Sequence, residues 1–268
     1  KYYLFDKYIK AVCNSEINGL VCQSETGLGK THRVLETLKK EKKEFVYCSG
    51  YTTTLQLYHF LYKHRNKIIF FDDSKNIFST DIGMELLKAC LFSVGDERIV
   101  RYSSTTEKLK VEEEFIFKGS LIVCVNNVNW DKNEDTRAVI DRVIYYRLRL
   151  NYGEKIKMLE EISLKPYKNS KIEDRTAVLD YIKQNTDDAT TNLNFRLFFK
   201  LLNLYLFDKE EFEFLAENII SVDEDYKLLV KYLKKYKTIK EAQRKWGEET
   251  GKSRASFFRL KKKVSKSH

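Results

Sequence analysis

The stretch from Gly19 to Lys40 constrains this chain more than any other. Gly19-Leu-Val-Cys22 is a short apolar run. Gln23-Ser-Glu-Thr-Gly-Leu-Gly-Lys30-Thr31 is a turn with two glycines before a Lys-Thr pair, and His32 to Lys40 then places Val34, Leu35 and Leu38 at helical spacing. A strand, a glycine turn and a helix in that order let backbone N–H groups wrap phosphate oxygens, with Gly27 and Gly29 where the chain turns tightly or approaches oxygen. Lys30 is placed to reach the β- and γ-phosphates. The Thr31 hydroxyl is placed to ligate Mg²⁺ at a helix N-terminus that already favours anions. The candidate nucleotide-contacting set is therefore Ser24, Glu25, Thr26, Gly27, Leu28, Gly29, Lys30, Thr31 and His32. Ser24 stands where such loops usually begin with Gly, and is read as a tolerated variant.

The periodicity continues in the same sense. Lys1 to Ile17 predicts a leading helix with Tyr2, Leu4, Phe5, Tyr8 and Ile9 on its apolar face, Glu44 to Gly50 a second strand, and Leu55 to Arg65 an amphipathic helix. Strand, helix, strand, helix implies a parallel sheet covered on both faces. Lys67-Ile-Ile-Phe-Phe-Asp72-Asp73 is a buried-strand run ending in two acids. It would carry Asp72 to the sheet edge opposite Thr31, where the carboxylate can hold the Mg²⁺ hydration shell, and Asp73 would position or deprotonate the attacking water. Asp81 to Phe92 predicts a helix with Ile82, Leu86, Leu87 and Cys90 inward, and Arg98 to Phe117 two extended segments. Gly119-Ser-Leu-Ile-Val-Cys-Val-Asn126-Asn127 is another buried strand with a polar end. Asn127 is the candidate for orienting water beside the γ-phosphate, with Asn126 as the alternative.

Thr136-Arg-Ala-Val-Ile-Asp141-Arg142 precedes a further apolar run, and Asn194-Phe-Arg196 opens a helix-like segment. With these elements in order, the chain resembles the AAA+ ATPases over about residues 15–205: SETGLGKT, IIFFDD, VCVNN, AVIDR and NFR are the matching motifs. The resemblance implies a P-loop α/β fold followed by an α-helical lid, and it implies roles for two arginines. Arg142 matches the arginine finger that enters a neighbouring subunit's nucleotide site, with Arg137 as a competitor, and Arg196 matches the lid arginine that touches the γ-phosphate of its own subunit. It further implies a homo-oligomeric ring, often a hexamer. In many of these ATPases the second acid is Glu, so Asp73 is a shorter substitute. The stretch from Ser49 through Asn127 is similar to ATPases of viral and other mobile-element DNA replication systems.

Residues 151–221 read as the helical lid, following a nucleotide-binding domain over 1–150, with helical spacing over Tyr152–Leu164, Ile172–Gln184, Asn194–Phe207 and Lys209–Ile220. The remaining stretch, 222–268, is distinct in charge. Residues 231–268 hold 14 Lys/Arg against 3 Asp/Glu, which leaves 35 against 36 in residues 1–230, so the whole net charge of +10 arises in the tail. A basic tail on a neutral body points to a polyanion partner. Its pattern is helix (Asp223 to Tyr236), helix (Ile239 to Glu249), turn (Thr250-Gly-Lys-Ser253) and helix (Arg254 to Val264), which resembles a helix-turn-helix or winged helix-turn-helix domain. Ser253 is placed to cap the third helix. Phe257, Leu260 and Val264 would pack with Ala242 and Trp246, leaving Lys252, Ser253, Arg254, Arg259, Lys262 and Lys263 to face DNA.

Cys13, Cys22, Cys48, Cys90 and Cys124 form no C-x-x-C pair and sit mostly in apolar runs, as reduced thiols do. No stretch approaches the roughly 18 apolar residues of a membrane span. The expectation is a cytoplasmic protein that uses ATP and Mg²⁺ and acts on DNA. It would be a ring-forming replicative helicase, translocase or replication initiator of a mobile element, holding single-stranded DNA in a pore through Tyr51–Thr53 or Arg101–Lys110 and duplex DNA through the tail. The alternative is a nucleotide switch, a helicase loader or regulator of transcription or transposition that recruits other replication proteins.

Overall fold

The computed structural model describes residues 1–50, 53–74, 77, 80–92, 97–103, 111–126 and 134–267, apart from the side chains of 263 and 265–267. The chain divides into two compact units, Lys1–Arg149 and Leu150–His268.

The first unit runs α1 (Tyr2–Cys13), β1 (Gly19–Ser24), α2 (Lys30–Lys40), β2 (Phe45–Ser49), α3 (Thr54–Lys63), β3 (Ile68–Asp72), α4 (Asp81–Leu91), β4 (Ile99–Arg101), β5 (Glu114–Ile116), β6 (Ser120–Val125), α5 (Glu134–Ile140) and β7 (Ile144–Leu148). β1, β2, β3, β6 and β7 form a parallel sheet in the order β2-β3-β6-β1-β7, and β4 pairs antiparallel with β5. The central strands are apolar on both faces because both are covered. On one face Val21, Ile69, Phe71, Leu121, Val123 and Val125 pack with Leu57, Tyr58 and Leu61 of α3 and with Met84, Leu87 and Cys90 of α4. Toward the other, α1 lies against β1, β6 and β7 and is itself packed on α2. Burying a Leu- or Phe-sized side chain is worth about 1.5–3 kcal/mol, so the continuous apolar runs read from the sequence are the main driving force for this layering.

Two apolar residues expected inward are not. Leu4 is 44% exposed and Ile82 is 51% exposed. In α1 the buried stripe is Phe5, Ile9, Val12 and Cys13, and Leu4 falls beside it. In α4 the Thr80 cap starts the helix at Asp81, and the inward positions are Gly83, Met84, Leu86, Leu87, Cys90 and Leu91. Ile82 lies in the first turn, off that stripe.

The second unit contains α6 (Tyr152–Ser163), α7 (Ile172–Asn185), α8 (Phe195–Phe207), α9 (Phe212–Ala216), α10 (Glu224–Lys235), α11 (Ile239–Thr250) and α12 (Arg254–Ser267). The loop between α6 and α7 is fixed by Arg175, which is buried and donates to the Ser163 and Ser170 carbonyls at 2.6 and 2.7 Å. α9 is shorter than the expected Lys209–Ile220 helix. The Asp208 carboxylate accepts from the Glu210 and Glu211 backbone N–H groups and delays the helix start. Residues Leu229, Tyr232, Ala242, Trp246 and Phe257 form a small separate core under α10, α11 and α12, with Leu260 and Val264 against it.

Candidate functional site

The glycine turn closes β1 and opens α2 as the sequence implies. Gly27 and Gly29 have φ of 74° and 73°, a region L side chains seldom adopt, and Gly29 is the N-cap of α2. The loop is held from outside by α1: the Tyr2 hydroxyl donates to the Leu28 carbonyl at 2.7 Å, and the Arg33 guanidinium lies 4.4 Å over the Tyr2 ring while pairing with Asp6 at 2.8 Å.

Lys30 is the electrostatic centre. It is only 7% exposed, and its Nζ donates to Ser24 Oγ (2.7 Å), the Ser24 and Glu25 carbonyls (3.3 and 3.2 Å) and Asn126 Oδ1 (3.0 Å). All four acceptors are neutral. Among the described residues no carboxylate reaches its hydrogen-bond shell, and burial pulls the ammonium's pKa below its ordinary value. A buried cation satisfied only by neutral oxygens is poised for an anion. Ser24 thus does more than tolerate the turn. Its hydroxyl donates to the Glu25 carbonyl at 2.7 Å and presents a lone pair to Lys30. Beneath lie Cys22 and Cys124, register partners on β1 and β6; burial raises the Cys124 thiol well above its usual value.

Asp72 ends β3 and Asn126 follows β6, the neighbouring strand, so both stand at the C-terminal edge of the sheet beside the loop after β1. Ligands of open parallel sheets bind at this edge. Thr31 Oγ1 donates to Asp72 Oδ2 at 2.8 Å. The hydroxyl and carboxylate oxygens are hard donors of the kind Mg²⁺ takes, and they converge beside Lys30, so they fit that ion. Asn126 bridges the rest of the site: its Oδ1 accepts from Lys30 while its Nδ2 donates to Asp73 Oδ1 at 3.0 Å. Asn126, the alternative at the polar strand end, thus bridges Lys30 and Asp73, and Asn127 lies outside the described residues. Asp73 sits at φ 52°, a left-handed conformation that Asp tolerates better than most residues, with its N–H on the Cys124 carbonyl. His32 is on the exposed side of α2, within 3.9 Å of Glu36.

Tyr47 is a member of the site that the sequence did not reveal. Its hydroxyl donates to the same Asp72 Oδ2 at 3.0 Å, and its ring lies 5.4 Å from Phe70, its register partner. Finding it required knowing that β2 pairs with β3. Tyr47→Phe removes one hydrogen bond to the carboxylate, worth about 0.5–1.5 kcal/mol. The expected result is a several-fold increase in the Mg²⁺ concentration needed for tight nucleotide binding, read by magnesium titration of a fluorescent ATP analogue; an unchanged requirement would show the hydrogen bond to be idle.

Of the two candidate arginines, Arg142 lies apart from this cluster within its own unit. Arg142 precedes β7, at the N-terminal edge of the parallel sheet, where it donates to the Ala138 carbonyl and stacks 5.2 Å from the Phe92 ring centre. The five residues of β7 span roughly 16 Å, so Arg142 is a full strand length from the edge that carries Lys30. Arg196 is exposed in the first turn of α8, behind the Asn194 cap. In the tail, Gly251 ends α11 at φ 67° and Ser253 Oγ caps α12 through the Ser256 N–H at 3.3 Å. Arg254, Arg259 and Lys262 are exposed along α12. Lys252 instead forms an ion pair with Asp225, and the Lys263 side chain lies outside the described residues, as do Tyr51, Thr52 and residues 104–110.

The glycine-loop, two-acid and polar strand-end geometry on this sheet is that of the P-loop nucleotide folds. No protein-family model matches the chain, and no curated protein matches its sequence. Solved structures similar to it include AMPPCP-bound DnaA from Aquifex aeolicus, with 13% identity over 99% of this chain and 87% of that one at a TM-score of 0.50. They also include the Thermotoga maritima RuvB Holliday junction branch migration motor, with 12% identity over 94% and 81% at a TM-score of 0.47. The likeness is one of fold, and within the P-loop class the fold is that of the AAA+ proteins. All five cysteines are free thiols. Among the described residues no helix is long and apolar enough to cross a membrane.

Proposed function

We propose that this chain binds ATP with Mg²⁺, hydrolyses it as a homo-oligomer and couples that cycle to DNA. The observation that carries the reading is the buried Lys30 ammonium, hydrogen-bonded only to neutral oxygens, linked through Asn126 to Asp73 and flanked by the Thr31–Asp72 pair. Lys30 would hold the β- and γ-phosphates, aided by the N–H groups at the start of α2. Thr31 and Asp72, steadied by Tyr47, would hold Mg²⁺, which when bound offsets charge on the β- and γ-oxygens. Asp73 would orient the attacking water, and Asn126 would keep that carboxylate in register with Lys30. Arg142 would act on a neighbouring subunit, and Arg196 on its own.

DNA enters through the tail in this reading. Residues 222–268 would work as a helix-turn-helix domain, with Ser253, Arg254, Arg259 and Lys262 of the α12 face on duplex DNA, and a pore would hold single-stranded DNA. Replacing Arg254 and Arg259 by Ala is expected to weaken duplex binding and lower its salt dependence by about 0.9 in log–log slope for each phosphate that is no longer neutralised. Binding measured from low to moderate salt checks this, and an unchanged slope would move the duplex-binding surface elsewhere. A ring-forming motor or initiator is the leading form of the proposal. One observation favours a nucleotide switch instead: the short Asp73 carboxylate is tied to Asn126 at 3.0 Å, which restrains it as a base. Steady-state ATP hydrolysis without DNA, then with single-stranded, duplex and forked DNA, separates the two. Strong stimulation supports the motor; slow turnover indifferent to DNA supports the switch; no turnover and no nucleotide binding defeats both.

A further inference from the structure

In the second unit the loop after α6, the start of α7 and the end of α8 enclose an open concavity of about 600 Å³. Lys168, Lys171, Lys209 and Asn203 line it, with Phe207 at its edge. We propose that this concavity is a binding site for single-stranded nucleic acid, with backbone phosphates on Lys168 and Lys171 and an unstacked base on Phe207.

Lys168 is held in place rather than trailing in solvent. Lys168 adopts φ 45°, donates to Asn203 Oδ1 at 2.8 Å and sits 5.3 Å over the Tyr167 ring, which itself lies 4.4 Å from Phe199. Arg175 fixes the loop from below. Asp174, the acid in the concavity, is buried, with one oxygen on the Lys171 N–H at 2.9 Å and the other on the Lys209 ammonium. That pairing neutralises Asp174 and Lys209 against each other. Lys168 and Lys171 have no salt-bridge partner among the described residues, so the concavity keeps a local charge near +2. Phe207, the last residue of α8, is 81% exposed, which leaves its ring available at the rim.

A positioned Lys168 with a second cation, Lys171, lining the same concavity beside an accessible ring is the pattern that holds single strands, where phosphates meet charge and bases stack on aromatic faces. Duplex DNA offers the phosphates but keeps its bases stacked inside, and a free phosphate makes no use of Phe207. This surface is separate from the α12 face, so the inference does not depend on ATP turnover or on the tail.

The test uses the whole chain without nucleotide. In Phe207→Trp, an oligothymidine of about 15 nucleotides is expected to quench the fluorescence of the new indole beyond any change in the unsubstituted chain, while inorganic phosphate and a blunt duplex leave it unaltered. Phe207→Ala is expected to weaken oligothymidine binding about tenfold. Lys168→Ala with Lys171→Ala should lower its salt slope by about 1.4, at roughly 0.7 per neutralised single-strand phosphate. Both variants should bind duplex as the parent does. Absence of quenching, oligothymidine binding unchanged in both variants, or equal losses for duplex and single strand would each overturn the site. Loss of duplex binding in the Arg254 and Arg259 variants alone bears on the tail and leaves this site untouched.

Discussion

Lys30→Ala should reduce ATP hydrolysis by at least about 10²–10³-fold, the effect of removing one preorganised charge-stabilising donor, while leaving the nucleotide-free protein at least as stable as the parent. The second half of that expectation distinguishes this lysine from an ordinary buried side chain. Truncating a well-packed core residue costs about 2–5 kcal/mol. Lys30, however, is a buried ammonium that donates only to neutral oxygens, and burial pulls its pKa down despite the nearby Asp72 and Asp73, so the folded state bears a desolvation cost that the substitution relieves. Thermal unfolding with and without ATP and Mg²⁺ reads both effects. The parent should gain stability with nucleotide, by about 2.7 kcal/mol at a hundredfold excess over Kd, and Lys30→Ala should lose most of that gain without a lower starting point. A variant that kept turnover and nucleotide stabilisation would remove Lys30 from the centre of the site. A variant that unfolded early would mean the ammonium is a structural tie for Ser24 and Asn126.

Legibility in the sequence follows a physical division. Segments whose role is set by local pattern were legible: β1, β3 and β6 as unbroken apolar runs, Gly27 and Gly29 as left-handed turn positions, and α10 to α12 with Trp246 and Phe257 as their core. Interactions that depend on strand order were not. Tyr47 reaches Asp72 only because β2 pairs with β3 in the register Tyr47↔Phe70, and a strand carries no mark of its neighbour. Asn126 stands at a strand end, where period-two alternation stops being informative, so its hydrogen bonds to both Lys30 and Asp73 were not legible. Ser24 looked like a mere departure from glycine because its partner, the Lys30 ammonium, lies six positions on and meets it only when the loop closes. Ile82 and Leu4 show the converse limit: apolar identity suggests burial, but helix phase decides it.

Arg142→Ala should lower ATP turnover by about 10³-fold or more, the scale of an arginine supplied to phosphoryl transfer, with nucleotide affinity nearly unchanged. Topology makes the test decisive, because Arg142 lies at the N-terminal edge of the parallel sheet and Lys30 at the C-terminal edge, so this arginine does not serve its own chain's site. Its present partners, the Ala138 carbonyl and the Phe92 ring, are weak enough to exchange for a phosphate in another subunit. Two inactive variants should therefore rescue each other. When Lys30→Ala and Arg142→Ala chains are mixed in equal amounts, a working site arises wherever an Arg142→Ala subunit, whose nucleotide loop is intact, is followed by a Lys30→Ala subunit that supplies the arginine. In a head-to-tail ring with random order this makes about one site in four functional, so turnover should rise well above either variant alone and should fall on dilution. No recovery on mixing, with assembly intact, would transfer the role to Arg137 or remove the trans arginine altogether; full activity in Arg142→Ala alone would do the same without any mixing.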